Sequence, residues 1–423
     1  MAGQPRRVPR HPSLDSRSLV AWPGYQSGLK VGELDRRIVG AIAKPLSHTV
    51  HDSSPVSKAL DASMGVLLPA QAWRNQLPLD HPKRAGAFAM LDHHRPGLVL
   101  DPDAGDLRAD FAELYAADHL QAELGARATI ATTPGHVLAH EGGVGRSNEL
   151  LLARLTAEDF AARRAAAPAP SRPAYETREL YATIALQGKH AMLPGVIEVL
   201  LDDYGALGGV SGYLLMAANC SQSGVQVAAY ATLALRLQEI TGRPVVTFGL
   251  GDAHLAFLAS GVAATCAGVH GMSFQFPPAE FDELEEEENK TDEEDEEETG
   301  LGVYTYHPAI LGNVGRLGSE GEPAREAIFK NQPCDCGHHR RDKPPQKKGE
   351  IVRHNSYAVS ADARAFTSGD VLAAERKLLA RAQNAERMRT FLKLSGLKRG
   401  FFAVSVAAAR LRGGQDAAEG EGS

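Results

Sequence analysis

The chain has 423 residues, of which 23% are charged and 43% apolar; it is long enough for a large core or for two domains, with the balance of a globular protein in water. No apolar run reaches the roughly 18 residues of a membrane span, and the arginines near the N-terminus have no apolar stretch behind them, so neither a membrane anchor nor a secretory signal is expected. Four cysteines in so long a chain make no disulfide framework, and a reducing cytoplasm is the expected setting.

The formal charge of −7 conceals a division. Residues 280–298 hold 14 acidic side chains and one lysine, and the remainder of the chain is about +6. The acidic run repels itself and reads as a disordered insertion over 279–300.

Residues 1–25, rich in Arg, Pro and Ser, read as a disordered lead-in. Short helices are expected over 31–43 and 55–63. From about residue 85 short apolar runs alternate with helical patterns, the rhythm of βα units. Strands are expected at 87–91, 98–100, 128–132, 181–186, 210–217, 245–248 and 262–269. Helices are expected at 107–124, 149–164, 194–204, 225–241 and 253–260, with Pro194 in a first turn and Gly242 closing the helix before it. Strands this apolar, each followed by a helix, imply a parallel sheet covered on its outer face. No dinucleotide-binding fingerprint is present, so the fold class is read as α/β, a (β/α)8 TIM-like barrel rather than an open doubly wound sheet. The barrel is expected over 26–278 and 355–411, with C-terminal helices including 371–394 and a disordered tail over 412–423.

Between the last strand and those helices lies Pro333-Cys334-Asp335-Cys336-Gly337-His338-His339, with His354-Asn355 further on. Two of the four cysteines and three histidines fall within 21 residues, enough for a closed tetrahedral Zn²⁺ site. Residue chemistry leaves His338 and His339 both open as the third ligand. Lys330, Arg340, Arg341, Lys343, Lys347, Lys348 and Arg353 surround the cluster, and a metal-pinned, basic subdomain over 301–354 is a handle for a polyanion.

Four features, in order, resemble the tRNA-guanine transglycosylase family, the base-exchange enzymes of queuosine and archaeosine synthesis. Ile184-Ala185-Leu186-Gln187-Gly188 is similar to the family's strand ending in Gln-Gly-Gly. Gly249-Leu250-Gly251, with the helix leading to Gly261-Val262, is similar to its Gly-Val-Gly turn and the approach to its nucleophile strand. Cys334-x-Cys336-x2-His339 looks like its Cys-x-Cys-x2-Cys with His as third ligand, and His354-Asn355 resembles the His-Asn whose His is the fourth. The resemblance covers about residues 85–365. It implies a structural zinc held by Cys334, Cys336, His339 and His354. It also implies Gln187 and Gly188 against a purine base, tRNA or DNA as partner, and pairing of two copies through the zinc region.

The same resemblance exposes departures. Cys266 stands where the family carries its nucleophilic aspartate, and Thr132-Thr133-Pro134 replaces its base-reading acidic segment. The earlier catalytic aspartate has one counterpart, Asp101, with Asp103 as substitute if the register slips by two. Base exchange at a glycosidic bond needs a carboxylate at C1′ and a proton carrier, and Asp101 follows an apolar run where barrel enzymes place such groups; the plainer role of both aspartates is an Asx-turn or helix cap. Two functions are therefore expected of this sequence. One is a diverged base-exchanging glycosyltransferase (pentosyltransferase) acting on a purine base in nucleic acid. The alternative is a non-catalytic nucleic-acid- or partner-binding barrel that keeps the structural zinc site.

Overall fold

The computed structural model describes residues 18–22, 40–42, 65–69, 88–90, 130–134, 137–138, 143–168, 178–218, 220–221, 223–268, 304–316 and 322–420, with isolated positions between 116 and 124. Among the described residues ten strands make up the main sheet: β1 (Ser18–Trp22), β2 (Gly40–Ile42), β3 (Gly65–Pro69), β4 (Phe88–Met90), β5 (Ile130–Thr132), β6 (Val137–Leu138), β7 (Glu179–Gln187), β8 (Gly212–Ala218), β9 (Val245–Phe248) and β10 (Ala264–Gly268). They form one sheet in the order β4-β3-β2-β1-β10-β9-β8-β7-β5, with β6 also beside β7. Every pairing in it is parallel. The first strand thus lies beside the last, and the two ends of the path, β4 and β5, lie against each other. The path holds nine strands, against the eight expected.

The helices between strands are α1 (Gly143–Ala166), the single turn α2 (Gly188–Ala191), α3 (Val196–Gly205), α4 (Gly224–Thr241) and α5 (His254–Ala259). Beyond the sheet come α6 (Glu322–Asn331), α7 (Lys348–Thr367), α8 (Val371–Phe391) and α9 (Arg399–Gly420). Their ends follow local chemistry. Ser223 caps α4 by accepting from the Gln226 N–H at 3.2 Å, and Gly242 closes it at φ 63°. Asp370 caps α8 by accepting from the Ala373 N–H at 2.7 Å, a bond of the kind that contributes about 1 kcal/mol.

β7 is buried along its whole length apart from its two end residues, so both sheet faces are covered, as a parallel sheet requires. Leu180, Ala182, Ile184 and Leu186 of β7 join Tyr213, Leu215 and Val245 of the neighbouring strands and the inner faces of α3, α4, α5 and α9 in one core. Threonines stitch the strands from within. Thr183 donates to the Thr133 carbonyl at 2.8 Å, and the hydroxyls of Thr247 and Thr265 meet at 3.0 Å. Gly212 is required where it stands, because a Cβ there would lie 2.6 Å from the Tyr181 ring on β7.

Several expectations change. Ser18–Trp22 is a strand paired with β10, so the sheet begins inside the segment read as a lead-in. Gly40–Ile42 is a strand where a helix over 31–43 was expected. The last helix runs to Gly420, past the expected boundary at 411, although Gly413 and Gly414 are weak helix formers. The expected strand at 98–100, the helix at 55–63 and the acidic run lie outside the described residues. Among the described residues no helix is long and apolar enough to cross a membrane.

Candidate metal centre

The segment after β10 builds a small unit of its own. Strands β11 (Tyr304–His307) and β12 (Gly312–Arg316) form an antiparallel hairpin through Pro308–Ile310, a 3-10 turn. Leu311 completes the turn in the left-handed region at φ 48°. Helix α6 follows, then an irregular knuckle, then α7. Asn355 on α7 reaches the free edge of β11, where its Oδ1 accepts from the Tyr306 N–H at 2.8 Å and its amide donates to the Tyr304 carbonyl at 2.9 Å. Arg325 of α6 is wholly buried; it donates to the Thr305 hydroxyl at 2.9 Å, to the Glu322 carboxylate at 2.8 Å and to the Pro345 carbonyl. That one guanidinium fastens hairpin, helix and knuckle together.

Knuckle and α7 bring Cys334, Cys336, His339 and His354 together, with one donor atom of each within 4.8 Å of all the others. Cys334 Sγ lies 3.4 Å from His354 Nδ1, and His339 Nε2 lies 3.0 Å from the same nitrogen. The surroundings fix both imidazole tautomers. His339 Nδ1 faces the carbonyls of Arg340 and Lys343, each at 2.8 Å, and must carry its proton there. His354 Nε2 faces the Tyr306 carbonyl at 2.7 Å and must do the same. The two remaining nitrogens, 3.0 Å apart, need a cation between them, either a proton, which the neighbouring Cys336 thiolate favours on His339, or a metal ion. Backbone N–H groups of Cys336 and His338 point at the sulfurs of Cys334 and Cys336, each at 3.4 Å, and stabilise thiolates. Neither cysteine is in a disulfide. Four convergent donors of this kind can hold a metal ion.

This geometry chooses between the adjacent histidines. His338 is exposed and lies edge-on to Tyr357 at 6.2 Å, whereas His339 points inward. The hydrogen bond from the Cys334 thiol, supported by His339 and His354, pulls the Cys336 thiol down to about 2. Cys334, as that donor, is held well above the ordinary thiol value. A metal ion would take the place of this shared proton.

Two residues of the centre carry no sequence signal. Phe329 sits under it, its ring 4.7 Å from His307, 5.2 Å from His339 and 5.3 Å from His354. His307 is buried; it faces the Gln332 carbonyl at 3.1 Å and accepts from the Ala309 N–H at 3.2 Å, and desolvation by burial pushes its pKa down to about 3. Tyr306 donates to Asp362 at 2.6 Å, and Arg381 holds the same carboxylate at 2.7 Å, which ties the hairpin to α7 and α8.

The residues read for base chemistry are placed as follows. Gln187 ends β7 at its C-terminal edge, half-buried, and Gly188, buried, opens α2. Two strands along, the C-terminal edge of β9 carries Gly249, Leu250 and the turn Gly251–Ala253, roughly 10 Å from Gln187 at ordinary strand spacing. Asp252 lies within that turn, without a capping bond, 3.9 Å from Lys398. His254, next in the chain, is buried, with Nδ1 3.1 Å from the Gly251 carbonyl. Cys266 is buried within β10, and desolvation raises its thiol well above the ordinary value; a protonated, enclosed thiol is a poor nucleophile. Asp101 and Asp103 lie outside the described residues, as do Asp92, His93 and His94. A scan against protein-family models finds no match for this chain, and a search of curated proteins finds none either.

Proposed function

We propose that this chain is a divergent relative of the tRNA-guanine transglycosylases that takes a purine base of tRNA or DNA at the C-terminal edge of its sheet. One observation carries the reading. The hairpin-and-helix unit that carries the Cys2His2 knuckle is the next described structure after β10, the strand that returns the sheet to β1, and the helix that completes the knuckle, α7, packs on β1 and α5. That order of strand, metal knuckle and returning helix is what the four sequence motifs imply. In this reading the sheet is a closed barrel of the (β/α)8 type with one strand added. Side by side at its C-terminal edge stand the amide of Gln187, which offers a donor and an acceptor to a purine, and Gly188, which lets a ring approach the backbone.

In this reading the bound ion is Zn²⁺. A tetrahedron with Zn–N of about 2.0 Å and Zn–S of about 2.3 Å has edges of about 3.3–3.8 Å, and the donor spacings of 3.0 and 3.4 Å need only a small expansion. All four positions are taken by protein, so the ion serves structure and no reaction step passes through it. The basic side chains of the knuckle face the phosphates. A second reading, a binding protein without turnover, draws on Cys266, which is enclosed at the position of the family's nucleophile.

The test gives purified protein tRNA or single-stranded DNA carrying labelled guanine. Release or exchange of the label, lost in Asp101→Asn, establishes the enzyme. Binding with no release establishes the second reading. No binding to either polymer removes both.

A further inference from the structure

Beside the knuckle, lined by its Gln332–Asp335 and by α7 and α8, lies a cavity of about 660 Å³. The size is that of a small-molecule or single-nucleotide site. Its composition is unusual for a surface hollow. Tyr357 of α7 and Met388 and Phe391 of α8 supply apolar walls, and Gln332, Asn384 and Arg387 stand among them. Phe391 is 67% exposed, so a large aromatic ring faces water at the cavity rim.

The polar groups divide into those already engaged and those free. Arg381 is held by Asp362 and by the Pro308 carbonyl at 3.0 Å, and is not available to a ligand. Asp335 at the rim is paired with Arg341 at 2.7 Å, which offsets its charge. The side chains of Gln332, Asn384 and Arg387 make no hydrogen bond or ion pair among the described residues. What remains for a ligand is one guanidinium, two carboxamides and the exposed ring of Phe391, with Tyr357 as a wall that also meets His338. The field around them is positive, with seven Lys/Arg against three Asp/Glu over 330–353, and five against two along α8. Aromatic faces with amide donors and acceptors match a nucleobase, and a free guanidinium in a positive field matches its phosphate.

We propose that this groove holds an unpaired nucleotide of a single-stranded nucleic-acid segment, its base against Phe391 and Tyr357 and its phosphate on Arg387. The groove is formed by the knuckle and the C-terminal helices, not by the strand edge that carries Gln187. It therefore grips the polymer at a second point, away from the base read there. The inference rests on the nucleic-acid reading above for its polymer and on the groove's own lining for its place.

The experiment measures binding of end-labelled single-stranded oligonucleotides of about eight residues to the full chain by fluorescence anisotropy across a salt series. The variants are Phe391→Ala, Arg387→Ala and Asn384→Ala, all at exposed positions, each checked for unchanged metal content. Stacking by one aromatic ring corresponds to roughly a tenfold loss of affinity in Phe391→Ala. Arg387→Ala is expected to lower the salt slope by about one contact. A photoreactive thiouridine in the oligonucleotide is expected to crosslink to the peptide containing Phe391 or Tyr357. Nucleoside monophosphate should compete only weakly; if it binds as tightly as the oligomer, the occupant is a free nucleotide and the polymer assignment is wrong. If the unaltered protein binds and all three variants match it, the groove inference fails while the functional reading stands. If the unaltered protein binds no polymer, the functional reading fails with it.

Discussion

The parallel sheet and the Cys/His unit solve one problem with opposite means. Around β7, β8 and β9 the backbone is satisfied strand to strand, and the core is a continuous body of Leu, Ile, Val, Ala and Tyr. The unit formed by β11, β12, α6 and the knuckle has a small apolar cluster of its own, Ile310, Val314, Ile328 and Phe329 closed by Leu392 after α8, while Tyr306 and Leu311 of the hairpin join the main core. It relies instead on polar clamps: Arg325 across three elements, Asn355 along a strand edge, and four metal-type donors. A unit of that size buries too little apolar surface to hold itself, so donor atoms and buried charge take over the work of a core. The sheet should therefore tolerate loss of a metal, and the unit should not.

The largest expected effect tests that division directly. Cys336→Ser removes the donor that carries the thiolate in the metal-free cluster. Structural zinc in comparable units contributes about 10 kcal/mol or more, far above what the small apolar cluster can replace. Hydrogen exchange should show the amides of β11, β12 and α6 losing protection while those of β7, β8 and β9 keep theirs. Exchange rising equally in both regions would mean that they fold as one and that the contrast is misplaced.

Arg325→Met comes next. Methionine fills much of the volume but leaves the Pro345 carbonyl and the Thr305 hydroxyl without their donor in a buried setting. The expected loss is about 3 kcal/mol, read as earlier metal release in a urea titration followed by a chromogenic chelator. On the sheet side, Gly212→Ala sets a methyl group against the Tyr181 ring and should cost about 2 kcal/mol by overpacking. Its signature is the converse: earlier unfolding of the sheet with metal content unchanged. Metal loss in Gly212→Ala at low denaturant would show that strain in the sheet passes into the unit.

The same contrast explains what could be read from the chain. Strands β7, β8 and β9 and helix α4 were legible because apolar runs and Gly242 are local signals that burial reinforces. Strands β1, β2 and β3 were not. Val31, Leu34 and Ile38 ahead of β2 recur at helical spacing and mask it, and β1 lies in a stretch whose Arg, Pro and Ser content reads as irregular. The ligand set was legible from spacing because metal chemistry demands those residue types. Choosing His339 over His338 needed the carbonyls of Arg340 and Lys343, which fix the ring. Arg325, Asn355, His307 and Phe329 act across distances that no window of sequence spans, and a buried arginine gives no sign of itself in composition.

The smallest effect probes the polar side of the contrast through pH. His307 lies against Phe329 and near His339 and His354. Burial and the neighbouring histidines lower its pKa to about 3 in the folded chain, whereas an unfolded histidine titrates near about 6.5. Below that value the unfolded state takes up a proton that the folded state refuses. Stability from this group is thus complete above about pH 6.5 and is lost as the pH falls toward about 3. A bound cation would act in the same direction, since it repels a charged imidazole. Between about pH 7 and about pH 5.5 the loss should be about 1 kcal/mol. His307→Gln removes the titrating group while keeping a neutral amide able to donate and accept. Its stability should be lower at neutral pH but should fall less on acidification than that of the unaltered protein. Parallel decline of the two curves would mean that His307 accepts its proton in the folded state, and that the hairpin beside the Cys/His cluster is open enough to solvent to admit it.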